Sequence, residues 1–173
     1  MERNSYKILV VDDDDAIREL LGSALSSKGY QCITAADGVE ALEEFNATPY
    51  DAVIADIGMP RMDGLQLTRE LIGRDADLPV MLMTGFVSQY EYDDAVKAGA
   101  SDFINKPLAI EEFAARFDKM MRNHETIRKI KIFQKDLEEV SRQMISGIEV
   151  DAMKKIEELN RQLSELKDSI RKS

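Results

Sequence analysis

The side chains best able to do chemistry in this sequence share one placement: each follows directly on a short apolar run. Asp12 to Asp15 follow KILVV, Asp56 follows DAVIA, Thr84 follows PVMLM and Lys106 follows DFIN. If those run ends converge, Asp12, Asp13 and Asp56 crowd three carboxylates together, and such a group cannot stay fully ionised without a counterion. A divalent cation supplies one. An all-oxygen donor set, completed by water and phosphate, describes magnesium rather than zinc, and the chain's single histidine agrees. Lys106 adds a fixed positive charge and Thr84 a hydroxyl donor. The set can stabilise a phosphoryl group in transfer, with a carboxylate as nucleophile. Asp14 and Asp15 are read instead as the cap and first-turn charge of a following helix. Taken singly, Asp56 also fits a loop carboxylate before GMPRMDG, Thr84 a cap and Lys106 a surface lysine before proline. Four polar positions behind four different apolar runs point to a site.

The apolar runs at 7–11, 31–35, 51–55, 79–83 and 102–105 are four or five residues long and read as strands. Between them apolar residues recur at helical spacing: Ile17, Leu20, Leu21, Ala24 and Leu25; Val39, Ala41, Leu42 and Phe45; Leu65, Leu67, Leu71 and Ile72; Tyr92, Ala95 and Val96. Near-continuous apolar strands joined by crossover helices imply a doubly wound α/β fold, a five-stranded parallel sheet covered on both faces. Ligands of such sheets lie beyond the carboxyl ends of the strands, where the polar residues above fall.

Composition sets the limits. The chain has 173 residues, 44% hydrophobic and 32% charged, enough for one core and an appendage. With 33 acidic against 23 basic residues its net charge is -10, which disfavours direct nucleic-acid binding and attachment to an anionic membrane. No apolar run approaches the roughly 18 to 20 residues of a membrane span. The start MERNSYKILVVDDDD has no apolar signal region, so a cytoplasmic location is expected. Cys32 cannot pair internally and is expected to be a small buried strand residue.

Composition shifts near residue 120. Residues 1–120 hold 11 Lys/Arg against 23 Asp/Glu, all four prolines and eight of the nine glycines; the remainder holds 12 against 10 and is helical in character. The expected division is 1–122 and 123–173. In the second part Phe133, Leu137, Val140 and Met144, then Ile156, Leu159, Leu163, Leu166 and Ile170, form two heptad-like seams out of phase with each other. A break near SGIEVD, recapped by Ser146 with Glu149 or by Asp151, gives a helical hairpin; one long stuttered helix is the alternative. Met120, Met121, Met144 and Met153 are read as seam or core residues.

The segments ILVVDDDD, DAVIADIGMPRMDG, PVMLMTG and ASDFINKPL resemble the motifs of two-component response-regulator receiver domains over about residues 5 to 122. The resemblance implies a flavodoxin-like sheet of order 2-1-3-4-5. It implies that Asp56 accepts a phosphoryl group from a phosphohistidine of a sensor histidine kinase. It further implies that Asp13, Asp56 and the Gly58 carbonyl ligate Mg2+ with help from Asp12, and that Lys106 pairs with the phosphoryl oxygens or with Asp56. Thr84 would turn inward to the phosphoryl group, and Phe103 would follow as a second switch residue. The Lys106–Pro107 peptide would be cis. Gly58, two beyond the acceptor, and Phe86, two beyond Thr84, occupy positions that influence the lifetime of the phosphorylated state in that family.

Two other functions compete. VVDDDDAI also resembles the first motif of haloacid-dehalogenase-type phosphohydrolases, which would make Asp12 the nucleophile of a Mg2+-dependent enzyme with Asp14 beside it; the later acidic pair of that family is absent. A phosphorylation-independent dimerising scaffold is the third reading. No helix-turn-helix, ATPase or cyclase motif follows residue 122, so the tail is expected to form a homodimer or bind a partner protein through its seams, with no enzymatic output.

Overall fold

A computed structural model of the chain describes residues 6–85, 89–145 and 150–171. Strand and helix alternate as β1 (Lys7–Val11), α1 (Asp15–Ser27), β2 (Gln31–Ala35), α2 (Gly38–Ala47), β3 (Ala52–Asp56), α3 (Gly64–Arg74), β4 (Val80–Thr84), α4 (Gln89–Ala98) and β5 (Asp102–Asn105). Two longer helices follow, α5 (Ile110–Ile145) and α6 (Val150–Arg171). The five strands are all parallel in the order β2-β1-β3-β4-β5, the doubly wound topology expected. The order reverses between β1 and β3, and such a switch point opens a crevice at the strands' carboxyl ends.

Strand alternation builds two cores. Ile8, Val10, Ile54, Met81 and Met83 face one side and pack with Leu21 and Leu25 of α1 and with Phe113 and Phe117 of α5. Leu9, Val11, Val53, Ala55 and Leu82 face the other, against Leu67, Leu71 and Ala95. The central strands β3 and β4 are buried at every position, which is why their sequences are apolar throughout rather than alternating. β3 and β4 each run one residue later than the apolar runs suggest, so Asp56 and Thr84 are the last residues of their strands rather than the first of their loops. Polar side chains can occupy those places because the strand ends open on the crevice.

Helix starts follow the capping rule. Asp14, Asp37 and Asp63 stand at the N-caps of α1, α2 and α3, each accepting from backbone N–H groups of the first turn. Some packing differs from expectation. Val96 is 58% exposed while Ala95 is buried, since neighbours on a helix point about 100° apart and only one can face the sheet. Cys32 is half-buried, because β2 lies at the sheet edge. Met120 and Met121 are core residues, whereas Met153 is exposed.

The chain divides into two compact units, Met1–Met121 and Arg122–Ser173, and α5 contributes residues to both. In the second unit Phe133, Leu137 and Val140 form the half-buried side of their helix, and Leu159 is buried between half-buried Ile156 and Leu163. Residues 146–149, including Ser146, Gly147 and Glu149 of the expected break, lie outside the described residues, as does Phe86.

Candidate functional site

β1 delivers Asp12 to the crevice. The residue is fully buried: its N–H donates to the Ala35 carbonyl at 3.2 Å, Oδ1 accepts from the Asp14 N–H at 3.0 Å, and Oδ2 accepts from Lys106 Nζ at 2.8 Å. Asp13, next along, is exposed. Asp14 and Asp15 take the roles their positions predict: Asp14 Oδ1 accepts from the Ala16 N–H at 2.8 Å, capping α1, and Asp15 pairs with Arg18 one turn on.

β3 brings Asp56 alongside. It is 6% exposed, and its Oδ1 lies 3.0 Å from Lys106 Nζ. The next N–H, of Ile57, donates to the Met83 carbonyl at 2.8 Å and ties this strand end to β4. One strand over, Thr84 is equally buried, and its carbonyl accepts from the Lys106 N–H at 2.7 Å. Lys106 therefore reaches the crevice through its backbone bond to β4 and its side-chain bonds to Asp12 and Asp56. The peptide to Pro107 is cis. Phe103 is half-buried on β5 and packs against the second core.

Ligand oxygens of Asp12, Asp13 and Asp56 all lie within 4.8 Å of one another. Three hard anionic oxygens this close, with no histidine or cysteine among them, suit a small divalent cation that keeps part of its water shell. Gly58 adds no bulk there: a Cβ on it would stand 3.6 Å from Asp56 Oδ2. Burial pushes the Asp56 carboxyl above its ordinary range; Lys106 pulls it back, and the charges of Asp12 and Asp13 push it up again. For Lys106 burial is the largest influence and opposes the charged form, yet the bonds and charges of Asp12 and Asp56 together hold its ammonium above the ordinary lysine value. Burial, the largest influence, thus sets the direction at Asp56 in spite of the Lys106 ammonium beside it.

Two arginines near this rim escaped the sequence reading. Arg18 Nη1 donates to the Asp12 carbonyl, a role that only its place one turn into α1 could have suggested. Arg61 pairs with Asp37 across 24 residues, and no local signal foretells that.

Residues 8–118 match the response regulator receiver domain model. Response regulator MprA of Mycobacterium tuberculosis is 45% identical over 118 residues, which cover 68% of this chain and 51% of that protein. The chain thus spans about half the length of the curated relatives it matches. Among solved structures, chemotaxis protein CheY4 of Vibrio cholerae aligns with a TM-score of 0.64 and 28% identity, over 66% of this chain and 98% of its own. Response regulator protein TrrA of Thermotoga maritima, solved in complex with Mg2+-BeF, aligns with a TM-score of 0.61 and 36% identity, over 66% of this chain and 98% of its own.

Proposed function

Because the chain belongs to the response-regulator receiver family of two-component systems, we propose that Asp56 is its phosphoacceptor and that a sensor histidine kinase, the kind of protein with which receiver domains interact, is its donor. The observation that carries this assignment is the position of Asp56: a nearly buried carboxylate at a strand end, within 4.8 Å of two further carboxylates and 3.0 Å from a lysine ammonium. An Asp56 oxygen attacks phosphorus while the bond from phosphorus to the donor's histidine nitrogen breaks, leaving an acyl phosphate on Asp56 and, with one proton taken from water by the ring, a neutral imidazole on the kinase. Lys106 neutralises charge on the phosphoryl oxygens, and the Thr84 hydroxyl donates to one of them. Asp12, Asp13, Asp56 and the Gly58 carbonyl would hold Mg2+, which supplies further charge neutralisation when bound.

Asp12 is less suited to be a nucleophile, because its Oδ1 already accepts from Asp14 and its Oδ2 from Lys106. This disfavours the phosphohydrolase reading. The deciding experiment is phosphate uptake from acetyl phosphate with Mg2+, followed by intact mass. Asp56→Asn is expected to abolish the added mass and Asp12→Asn to retain it at a lower rate; the reverse pattern would make the chain a hydrolase with Asp12 as nucleophile. No uptake by the unaltered chain would favour the scaffold reading.

Phosphorylation adds about 1.5 to 2 negative charges at one point. Contacts that Thr84 and Lys106 make only to that group bias an equilibrium between two arrangements of the β4–α4 and β5–α5 units. Phe103 would follow Thr84 as the second switch residue. Residues 123–173 then act as the output, pairing with a second copy or a partner protein through the α5 and α6 seams. Such pairing would cover Ile170 of the α6 seam and, outside the seams, Ile127, Ile132 and Met153, each 45% or more exposed. No helix among the described residues is long and apolar enough to cross a membrane. A cytoplasmic site of action fits a histidine-kinase donor.

A further inference from the structure

The loop from β3 to α3 carries Gly58, and it is fastened to a different part of the unit. Arg61 is the one non-glycine residue with positive φ among the described residues, at 63°. Side-chain-bearing residues disfavour that region, so something must hold it there. The Arg61 guanidinium lies on Asp37: Nε donates to Oδ2 at 2.6 Å and Nη2 donates to the same oxygen. Asp37 is 4% exposed, and its other oxygen accepts from the N–H groups of Val39 at 2.8 Å and Glu40 at 3.1 Å, capping α2. One buried carboxylate thus spends one oxygen on the helix it starts and the other on a loop 24 residues away. The two parts are also pressed together sterically: a Cβ at Gly38 would come within 2.7 Å of Met62 Cγ and 2.9 Å of the Met62 carbonyl oxygen. The Met62 N–H donates to the Pro60 carbonyl at 2.7 Å and closes the turn around Arg61.

We propose that Arg61, through its ion pair with Asp37, is a positioning residue for Mg2+: it holds the left-handed turn of the loop that carries Gly58, whose carbonyl would be one of the ligands. The proposal rests on the Mg2+-dependent phosphoacceptor reading above. Neither Arg61 nor Asp37 bonds to Asp12, Asp13 or Asp56, so both act only through the loop. Partners that orient a metal ligand from outside its coordination shell control affinity by about 10 to 100-fold. Arg61 is 59% exposed at its side chain and acts at a distance of three residues, which places the expected effect at the lower end.

Three variants of the full chain separate the possibilities. Arg61→Ala removes the ion pair and leaves a side-chain-bearing residue that disfavours the left-handed turn. Asp37→Asn removes the charge and keeps the α2 cap, since Asn caps as well as Asp. Arg61→Gly removes the ion pair but adopts the left-handed turn freely. Mg2+ affinity is read by isothermal titration, alongside the melting temperature of the metal-free protein and acetyl phosphate uptake across Mg2+ concentrations. Expected are about tenfold weaker Mg2+ binding in the first two variants and partial recovery in Arg61→Gly. Uptake at saturating Mg2+ should stay close to the unaltered rate. The double variant Asp37→Asn with Arg61→Ala should be no weaker than the worse single one, as for partners in one interaction. Unchanged Mg2+ affinity in Arg61→Ala and Asp37→Asn, whether or not their melting temperatures fall, would reduce the pair to a structural tie and overturn the proposal. If the unaltered chain binds no Mg2+ and takes up no phosphate, the phosphoacceptor reading itself fails and the proposal falls with it.

Discussion

Lys106 serves two carboxylates with one ammonium, 2.8 Å from Asp12 and 3.0 Å from Asp56. Lys106→Met would leave the fully buried Asp12 carboxylate without its charged donor, at a cost of about 1–3 kcal/mol in the metal-free protein. Urea unfolding measures that loss, and millimolar Mg2+ is expected to recover part of it. A second prediction concerns pH. Burial raises the Asp56 carboxyl above its ordinary range, so the folded state binds this proton more tightly than the unfolded state. Its contribution to stability is fully present below the unfolded value and is lost as pH rises through the raised folded value. Melting curves of metal-free protein should therefore show the unaltered chain losing stability relative to Asp56→Asn as pH increases through that window, and Mg2+ should diminish the difference. Asp12, Asp56, Thr84 and Lys106 were legible in the sequence because each stands where an apolar run ends. Arg18 and Arg61 were not: their partners are a backbone carbonyl and a carboxylate that only the folded chain brings near.

At the scale of elements, β3, its loop and α3 form the unit on which the site depends most. Gly64 opens α3 directly behind Asp63, its N-cap, and donates its N–H to the Ile57 carbonyl at 3.1 Å. A Cβ there would lie 2.2 Å from the Asp56 carbonyl oxygen, a backbone atom that cannot move aside without moving the strand end. Gly64→Ala should destabilise the chain by about 3 kcal/mol and displace Asp56. Chemical denaturation gives the first quantity, and a slowed acetyl phosphate uptake at full Mg2+ reports the second. Strand and helix identities were readable because buried parallel strands are apolar throughout and their crossover helices are not. Strand ends were less so: Asp56 and Thr84 are polar and look like loop, yet they complete their strands because the sheet's carboxyl edge faces a crevice. The side of α4 was also unreadable, since Ala95 and Val96 are both apolar and only one can turn inward.

Taken whole, the chain joins an acidic unit to a nearly neutral one, with α5 contributing to both. We propose the functional division at residues 1–122 and 123–173. A chain ended after Arg122 is expected to fold and to take phosphate from acetyl phosphate at close to the full-length rate, while running as a monomer. Light scattering of the full-length chain, with and without beryllofluoride, should show a larger species in at least one state. Identical monomers throughout would assign the tail seams to a different protein instead. On the phosphoacceptor reading, the missing side chain at Gly58 would bear on the timing of the whole response. Its φ is not positive, and a Cβ there would stand 3.6 Å from Asp56 Oδ2, an ordinary contact distance. A Cβ is therefore accommodated without bending the backbone, and if Asp56 is the phosphoacceptor a side chain here would narrow water's approach to the acyl phosphate. We propose that the codon at this position, together with that of Phe86, sets how long the molecule would remember a stimulus.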